Sequence, residues 1–200
     1  LQNDARRQRQ MCIRDRSLSF QLEKNSQLNG FSLMVGLAIR DTLSELYDID
    51  SKIKWPNDIF FDHKKFCGVL IETKYENNLL KIVIGIGINV FMHSNDQIDQ
   101  DWTSLKLIDG EKSFDRNLII GKLTSKILDY SRTYEKYGFS HFQKPFNQNN
   151  YLKNKILTSE NFKGKDCKVK EVDEEGRLKV EIDKEEKLIS SGELSFKIKE

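Results

Sequence analysis

The stretch KWPNDIFFDHKKFCGVLIE, residues 54–72, places a strand end, a tight turn and two further strands in succession. Pro56 fixes its own backbone torsion and biases Trp55 toward an extended conformation, so a strand should end here and the chain should turn. The surrounding segments are rich in β-branched and aromatic residues and are bounded by turn-forming residues. The strands predicted before residue 100 are SLSFQL (17–22), SKIKW (51–55), IFFD (59–62), FCGVLIETKYE (66–76) and LLKIVIGIGINV (79–90), with Asn77-Asn78 as a hairpin turn. The strands that follow the tryptophan should form an antiparallel meander with one buried face.

The pattern of apolar and turn-forming residues in the rest of the chain predicts helices beside this sheet and a smaller all-β unit at the end. Apolar residues at helical spacing predict a core helix within residues 29–49. A second amphipathic helix is predicted for residues 115–138, with Asp115 at its N-cap and Gly138 at its C-cap. From about residue 160 short strands alternate with charged turns, which is typical of a small β-barrel. The expected fold class is α+β, a mixed or antiparallel sheet flanked by helices and followed by a small barrel.

The composition narrows the class of protein. The 200 residues are 38% hydrophobic and 32% charged with a net charge of +2, which predicts one medium domain, or one with an appendage, and a surface of mixed sign. A dedicated nucleic-acid binder usually carries a strong basic excess. The three cysteines, Cys12, Cys67 and Cys167, form neither a disulfide framework nor a zinc motif. No apolar run is long enough to span a membrane and no signal peptide is visible, so we expect a cytoplasmic protein.

The first sixteen residues differ from the rest of the chain. They hold five arginines and no lysine, whereas residues 17–200 hold four arginines and 24 lysines. Such an abrupt change of residue usage predicts that residues 1–16 are a foreign or disordered head, with a genuine basic arm as the alternative.

Three glycines fall inside the predicted strands. Gly68 lies in GVLIE, and Gly85 and Gly87 lie in GIGIN. A glycine within a strand usually marks a bulge or a place where another group approaches the backbone closely. Three of them on neighbouring strands predict a slot on the sheet for a flat or extended ligand. GIGIN is not a dinucleotide fingerprint, because the third glycine and the following helix are both missing.

Polar residues surround this slot in the sequence. Lys54 ends one strand, Asn57 and Asp58 form the turn, and Lys65 returns across the hairpin. Two ammonium groups and a carboxylate beside bare backbone predict a site for an anion such as a phosphate. A surface lysine and an ordinary turn are the alternative interpretation. An ammonium at such a place can stabilise charge that develops on a transferring oxygen.

The order and spacing of these motifs resemble the catalytic core of the biotin protein ligases, from about Ser17 to Lys199. The matching segments are KWPND (54–58), KFCGVLIE (65–72), GIGINV (85–90), WTSL (102–105), DRN (115–117) and SGELS (191–195). The resemblance implies a class II synthetase-like catalytic domain over residues 17–152 and an SH3-like domain over residues 158–200.

The resemblance also implies an activity and its participants. The family activates biotin with MgATP to biotinyl-5′-AMP and transfers it to a lysine of a biotin carboxyl carrier domain. Biotin, ATP and Mg²⁺ are therefore the expected cofactors, with no metal ligands from the protein. The residues to which the resemblance assigns roles are Lys54, Asp58 and Lys65 in catalysis, and Lys54, Trp55, Asn57, Gly68, Gly85, Gly87 and Asn89 in binding biotin or the adenylate. In this scheme Lys54 contacts the biotin carboxylate and the phosphate, Lys65 lies on the phosphate side, and Asp58 helps the acceptor lysine.

One feature of the family is missing. Its members carry a loop of the form GRGRRG before this region, and here only ARRQRQ (5–10) stands at a similar distance, without a glycine. We assign no role to Arg6, Arg7 or Arg9, and the chain resembles an N-terminally truncated ligase. No helix-turn-helix is visible, so DNA is not an expected partner, and a homodimer is possible. Two alternatives stay open: a lipoate or octanoyl transferase of the same fold, and an inactive fragment that binds only carrier protein or nucleotide.

Overall fold

Two antiparallel sheets and four helices make up the computed structural model, which describes residues 16–23, 28–76, 79–94, 100–159, 162, 165–190 and 196–199. The first sheet contains β1 (Arg16–Glu23), β2 (Lys52–Lys54), β3 (Asp58–Phe61), β4 (Lys64–Glu76) and β5 (Leu79–Ile88). The helices are α1 (Phe31–Tyr47), α2 (Leu105–Ile108), α3 (Arg116–Tyr137) and α4 (Ser140–Gln148). The second sheet contains β6 (Ile156–Thr158), β7 (Cys167–Val172), β8 (Leu178–Ile182), β9 (Glu185–Ile189) and β10 (Lys197–Ile198). The expected α+β class with antiparallel sheets is confirmed.

The first sheet has the strand order β1-β5-β4-β3-β2, and every neighbouring pair is antiparallel. The predicted antiparallel meander of β3, β4 and β5 is therefore confirmed, and β2 pairs with β3 at the edge of the sheet. Asp62 and His63 both have positive φ, 44° and 64°, which suits a two-residue hairpin between β3 and β4. The predicted Asn77-Asn78 turn lies outside the described residues, although β4 and β5 on either side of it pair antiparallel.

One face of this sheet is packed and the other carries the candidate site. The packed face presents buried aliphatic side chains to α1, because side chains alternate along a strand. Its members are Ile53, Ile59, Cys67, Val69, Ile82 and Ile84. Full burial of one aliphatic side chain stabilises the fold by roughly 1.5–3 kcal/mol relative to exposure. This face fixes the register of the strands, and the register in turn fixes which side chains meet on the opposite face.

Both predicted caps of α3 are confirmed. The Asp115 carboxylate accepts hydrogen bonds from the N–H groups of Asn117 and Leu118, at 2.8 and 3.2 Å. Gly138 ends the helix at φ 66°, and its N–H donates to the Tyr134 carbonyl. α3 packs along α1 on the side away from the sheet, and the Tyr130 hydroxyl donates to Asp41 across that contact at 2.7 Å.

The second sheet has the order β10-β6-β7-β8-β9 and is attached to the first part of the chain through a tight glycine contact. Gly176, at φ 77°, lies so close to Gly30 that a Cβ on Gly176 would be 2.4 Å from the Gly30 Cα. Only glycine fits such an approach at positive φ. Asn147 of α4 adds a two-way pair with the Val172 backbone, at 2.8 Å in each direction. The two sheets are thus fixed relative to each other at several points.

The predicted boundaries differ slightly from the elements. Residues 1–15 lie outside the described residues, and Arg16 is already part of β1, where it pairs with Ile86. β6 begins at Ile156, two residues before the boundary expected for the C-terminal unit. The SH3-like barrel stays a prediction, since five antiparallel strands fit that architecture without specifying it. None of the helices in the described ranges combines the length and apolar character that crossing a membrane requires.

Candidate functional site

A single row of paired residues crosses four strands on the open face of the first sheet. Lys54 pairs with Asp58, Asp58 pairs with Gly68, and Gly68 pairs with Gly87. Paired residues of antiparallel strands present their side chains to the same face. The row therefore runs from an ammonium, through a carboxylate, to two adjacent positions without side chains.

Gly85 extends the bare area by one row. It lies two residues before Gly87 on β5 and pairs with Leu70 of β4, whose side chain is 53% exposed. A Cβ added at Gly85 would contact Leu70 at 3.6 Å and nothing more closely. The predicted proximity of the three glycines on neighbouring strands is confirmed, and the backbone at Gly85 is open apart from its contact with Leu70.

Lys65 and Asp58 form an ion pair beside this surface. The Lys65 Nζ lies 2.7 Å from Asp58 Oδ1, and each side chain is about one-fifth exposed. A Cβ on Gly68 would come within 3.5 Å of both groups, so the pair lies directly above the glycine. The backbone of Lys65 is held firmly, because its N–H donates to Asp101 and its carbonyl accepts from Thr103. The return of Lys65 across the hairpin to the Lys54–Asp58 turn is as expected from the sequence.

The ammonium of Lys54 lies between two aromatic rings. Its Nζ is 5.1 Å from the centre of the Phe60 ring and 5.7 Å from the centre of the Phe196 ring. Burial holds the pKa of Lys54 below its ordinary value; the Asp58 carboxylate opposes this shift, and Lys65 and Lys155 add to it. Within the described part of the chain, no carboxylate lies within ion-pairing distance of Lys54. The group is a cation partly withdrawn from water and available to an anionic ligand.

The turn that carries Lys54 and Asp58 is tied down by hydrogen bonds. The Trp55–Pro56 peptide bond is cis. The Ser32 hydroxyl of α1 donates to the Pro56 carbonyl at 3.0 Å. The Asn57 amide donates to the Val69 carbonyl at 2.9 Å, and the Val69 N–H donates back to the Asn57 carbonyl. Asn57 therefore fixes the turn onto β4, and its expected contact with a ligand stays a prediction.

Trp55 and Asn89 also have structural partners. The indole of Trp55 is 1% exposed, and its Nε1–H donates to the Gly176 carbonyl at 3.0 Å. The structure thus gives Trp55 a packing position between the two sheets. The Asn89 N–H donates to the Phe66 carbonyl and its side-chain amide donates to the Thr103 carbonyl, so Asn89 joins the end of β5 to the segment before α2. Ligand contacts of both residues stay predictions.

Sequence reasoning did not anticipate the aromatic and cationic surroundings of Lys54. The ring of Phe60 is stacked on that of Tyr151, with ring centres 4.7 Å apart. The Lys155 Nζ lies 3.6 Å from the centre of the Tyr151 ring. Phe60 follows the KWPND motif and could have been placed on the same face as Asp58 by strand alternation. Tyr151, Lys155 and Phe196 are far away in sequence, and no local pattern links them to Lys54.

The described residues contain no group of three or more His, Cys, Asp or Glu side chains placed to hold a metal ion. The expected Mg²⁺ would arrive with ATP, whose phosphates are its customary ligands. The open face thus presents three features: strand positions without side chains, one half-buried ammonium, and an ammonium–carboxylate pair.

Comparison with known proteins finds a family profile and several curated relatives that match part of the chain. The sequence profile of the Biotin/lipoate A/B protein ligase family matches residues 14–89. The chain is 33% identical over 116 residues to the bifunctional ligase/repressor BirA of Salmonella typhimurium, covering 56% of this chain and 36% of that protein. It is 35% identical over 123 residues to the BirA of Bacillus subtilis, covering 60% of this chain and 37% of that protein. The chain thus spans about a third of the length of these curated relatives.

A solved structure extends the similarity over nearly the whole chain. The biotin protein ligase from Aquifex aeolicus in complex with biotin and ATP superposes with a TM-score of 0.77 at 26% identity, covering 92% of this chain and 79% of that chain. The profile match lies over the strands that carry the glycine row, and the structural match includes both sheets. The profile over residues 14–89, the two curated relatives and the shared fold together support membership of the biotin protein ligase family.

Proposed function

We propose that this chain carries the catalytic surface of a biotin–protein ligase, which activates biotin with ATP to biotinyl-5′-AMP and transfers it to a lysine of a carboxyl carrier domain. The observation that supports this most is the row Lys54–Asp58–Gly68–Gly87, which sets a half-buried ammonium beside bare sheet. A flat bicyclic substrate with a carboxylate tail fits such a surface. The Aquifex aeolicus relative was solved with biotin and ATP.

In the first step, a biotin carboxylate oxygen attacks the α-phosphorus of ATP and the bond to pyrophosphate breaks. Negative charge accumulates on the phosphoryl oxygens, and Lys54 is the group on this face that can approach them as an unpaired cation. Partial burial strengthens that attraction, because a charge interaction grows as the surrounding dielectric falls. Lys65 supplies a second ammonium whose direction is fixed by Asp58.

In the second step, the amine of the acceptor lysine attacks the acyl carbon, the bond from that carbon to the AMP oxygen breaks, and an amide forms. A lysine of ordinary pKa, about 10.4, is less than about 0.1% neutral at pH 7, so removal of its proton limits attack. The Asp58 carboxylate lies above Gly68 and can accept or direct that proton. Lys65 can release part of its interaction with Asp58 as the proton moves.

Carrier modification is the direct test. The purified chain is incubated with biotin, MgATP and a biotin carboxyl carrier domain, and the carrier is weighed by mass spectrometry. A gain of one biotinyl group that depends on ATP supports the proposal. No gain from a folded chain that still binds carrier or nucleotide would favour the inactive-fragment alternative for this chain.

A competition experiment separates biotin from lipoate. Equal amounts of the two acids are offered with biotin and lipoyl carrier domains, and the products are compared. The family profile covers both ligase types, whereas the relatives compared above are biotin ligases. We expect biotin to be used; preferential lipoyl or octanoyl transfer would assign the other specificity.

A further inference from the structure

Phe196 belongs to the second sheet but contacts the key groups of the first. It directly precedes β10, which pairs with β6 through Lys197–Thr158 and Ile198–Leu157. The ring of Phe196 stacks on Trp55, with centres 6.3 Å apart and planes inclined by 24°. The same ring has the Lys54 ammonium 5.7 Å from its centre. The Phe196 side chain therefore contacts both Lys54 and Trp55, the first two residues of the KWPND motif.

The position of Phe196 is fixed from several directions. Beyond β10, the Lys199 N–H donates to the Ile156 carbonyl at 2.9 Å. Trp55, on which Phe196 stacks, is fully buried and donates its indole hydrogen bond to Gly176. Gly176 is in turn packed against Gly30 at the start of α1. These contacts place Phe196 where the second sheet meets the turn that carries Lys54 and Trp55.

We propose that Phe196 is a positioning residue for Lys54: together with Phe60 it brackets the ammonium, excludes water from one side and directs the charge toward the glycine row. This inference rests on the proposed function for its catalytic meaning, but its structural content concerns Lys54 alone. It assigns the C-terminal segment a part in preparing the site on the first sheet. Phe196 need not touch the substrate to act in this way.

Each of the two rings, Phe60 and Phe196, acts on the ammonium of Lys54 in two opposed ways. A ring face attracts a cation, which favours the charged form. The body of the ring displaces water, which disfavours the charged form. Burial is the leading cause of the lowered pKa of Lys54, and the Phe196 ring, 5.7 Å from the ammonium, lies among the groups around it. The charged groups that act on Lys54 are Asp58 from β3, Lys65 from β4, and Lys155 from the segment before β6, and none of them is altered when Phe196 is changed.

The first test measures Lys54 without any need for activity. The chain is labelled with trace acetic anhydride over a range of pH, and modification of the Lys54 peptide is quantified by mass spectrometry. The midpoint of this curve follows the pKa of the amine, whereas easier access to the reagent scales the whole curve. Phe196→Leu should move the midpoint to higher pH, because water reaches the ammonium. Phe196→Tyr, which keeps the ring, should restore the original midpoint.

A matched control removes an apolar side chain elsewhere on the same sheet. Leu188 lies on β9, at the edge opposite β10, and is 47% exposed. Leu188→Ala should leave the Lys54 midpoint unchanged, and urea unfolding of every variant identifies any that has lost its fold. An unchanged midpoint in folded Phe196→Leu, or the same shift in Leu188→Ala, overturns the inference.

The second test asks for the catalytic consequence. In Phe196→Leu, biotinyl-adenylate formation should slow about tenfold, and the alkaline limb of its pH profile should move to higher pH, with Phe196→Tyr close to the original chain. If the unaltered chain forms no adenylate while the labelling midpoint still shifts in Phe196→Leu, the proposed function fails and the positioning of Lys54 by Phe196 stands. If adenylate forms at an unchanged rate and pH dependence in Phe196→Leu, the positioning role is wrong and the proposed function stands.

Discussion

Substitution of Asp58 by asparagine should separate the two chemical steps. Asn has nearly the same size and cannot carry the charge. In the structure Asp58 Oδ1 accepts from the Lys65 ammonium at 2.7 Å and lies above Gly68, at the centre of the row that connects Lys54 to the bare backbone. Asp58→Asn therefore removes one charge from the site without changing its shape.

The expected magnitudes follow from this position. A positioned base contributes about 10²–10⁴-fold to a step that needs proton removal, so transfer to the carrier lysine should slow at least about 100-fold. Adenylate formation needs no proton removal by Asp58 and should fall less than about fivefold near pH 7. The loss of the ion pair, whose members are about one-fifth exposed, should lower the free energy of unfolding by about 1 kcal/mol.

The pH dependence gives a second signature. Asp58 is the charge that raises the pKa of Lys54 against burial. Without it the pKa of Lys54 falls further, and the ammonium deprotonates at lower pH. In the proposed mechanism the charged form of Lys54 stabilises the phosphoryl oxygens, so the alkaline limb of adenylate formation should move to lower pH in Asp58→Asn.

The assay uses single turnovers. Adenylate formation is followed by release of pyrophosphate in the absence of carrier, and transfer is followed by mass after carrier is added to preformed adenylate. Asp62→Asn serves as the control, because Asp62 is exposed in the next turn at φ 44°, where asparagine is equally acceptable. Equal slowing of both steps in Asp58→Asn would refute its assistance to the acceptor lysine.

Three further predictions concern Lys54 and the attachment of the second sheet. Lys54→Ala should slow adenylate formation about 100- to 1,000-fold. The control Lys52→Ala, on the same strand beside Asp50 and Asn149, should form adenylate within about twofold of the original rate. Equal rates for the two variants in a pyrophosphate assay would contradict the role of Lys54. Trp55→Phe removes a buried hydrogen bond and leaves the Gly176 carbonyl without its donor, so urea unfolding should show a loss of about 2–3 kcal/mol; a loss below about 0.5 kcal/mol would show that the contact matters little. Gly176→Ala introduces a Cβ 2.4 Å from the Gly30 Cα at positive φ, so it should destabilise the chain by more than about 2 kcal/mol, and an unchanged thermal midpoint would refute that close approach.

Local patterns predicted much of the fold. Asp115 and Gly138 mark the ends of α3 because capping depends on residues within one turn. Strand alternation and a short turn likewise placed Lys65 near the Lys54–Asp58 turn. The register shift between β3 and β4 was not predicted, because a bulge depends on the pairing of two strands: Ile59 pairs with Cys67 but Phe60 pairs with Lys65. That shift leaves Phe66 as the extra residue of β4.

The surroundings of Lys54 were beyond sequence reasoning for a different reason. Trp55 bonds to Gly176, 121 residues further along the chain, and Phe196 is further still. Such contacts depend on how two sheets pack, and no periodicity within either segment encodes them. The sequence therefore indicated the residues that we propose to bind an anion, whereas the contact between Lys54 and the Phe196 ring depends on the packing of the second sheet.

The most direct measurement asks whether the glycine row holds the ligand. The chain is labelled with ¹⁵N at its 11 glycines, and amide shifts are recorded as a non-hydrolysable biotinyl-adenylate analogue is added. The account predicts saturable shifts at Gly68, Gly85 and Gly87, and none at Gly121 of α3 or at Gly138, its C-cap. Binding of the analogue with shifts elsewhere and none at the three glycines would contradict the assignment of this face as the ligase site.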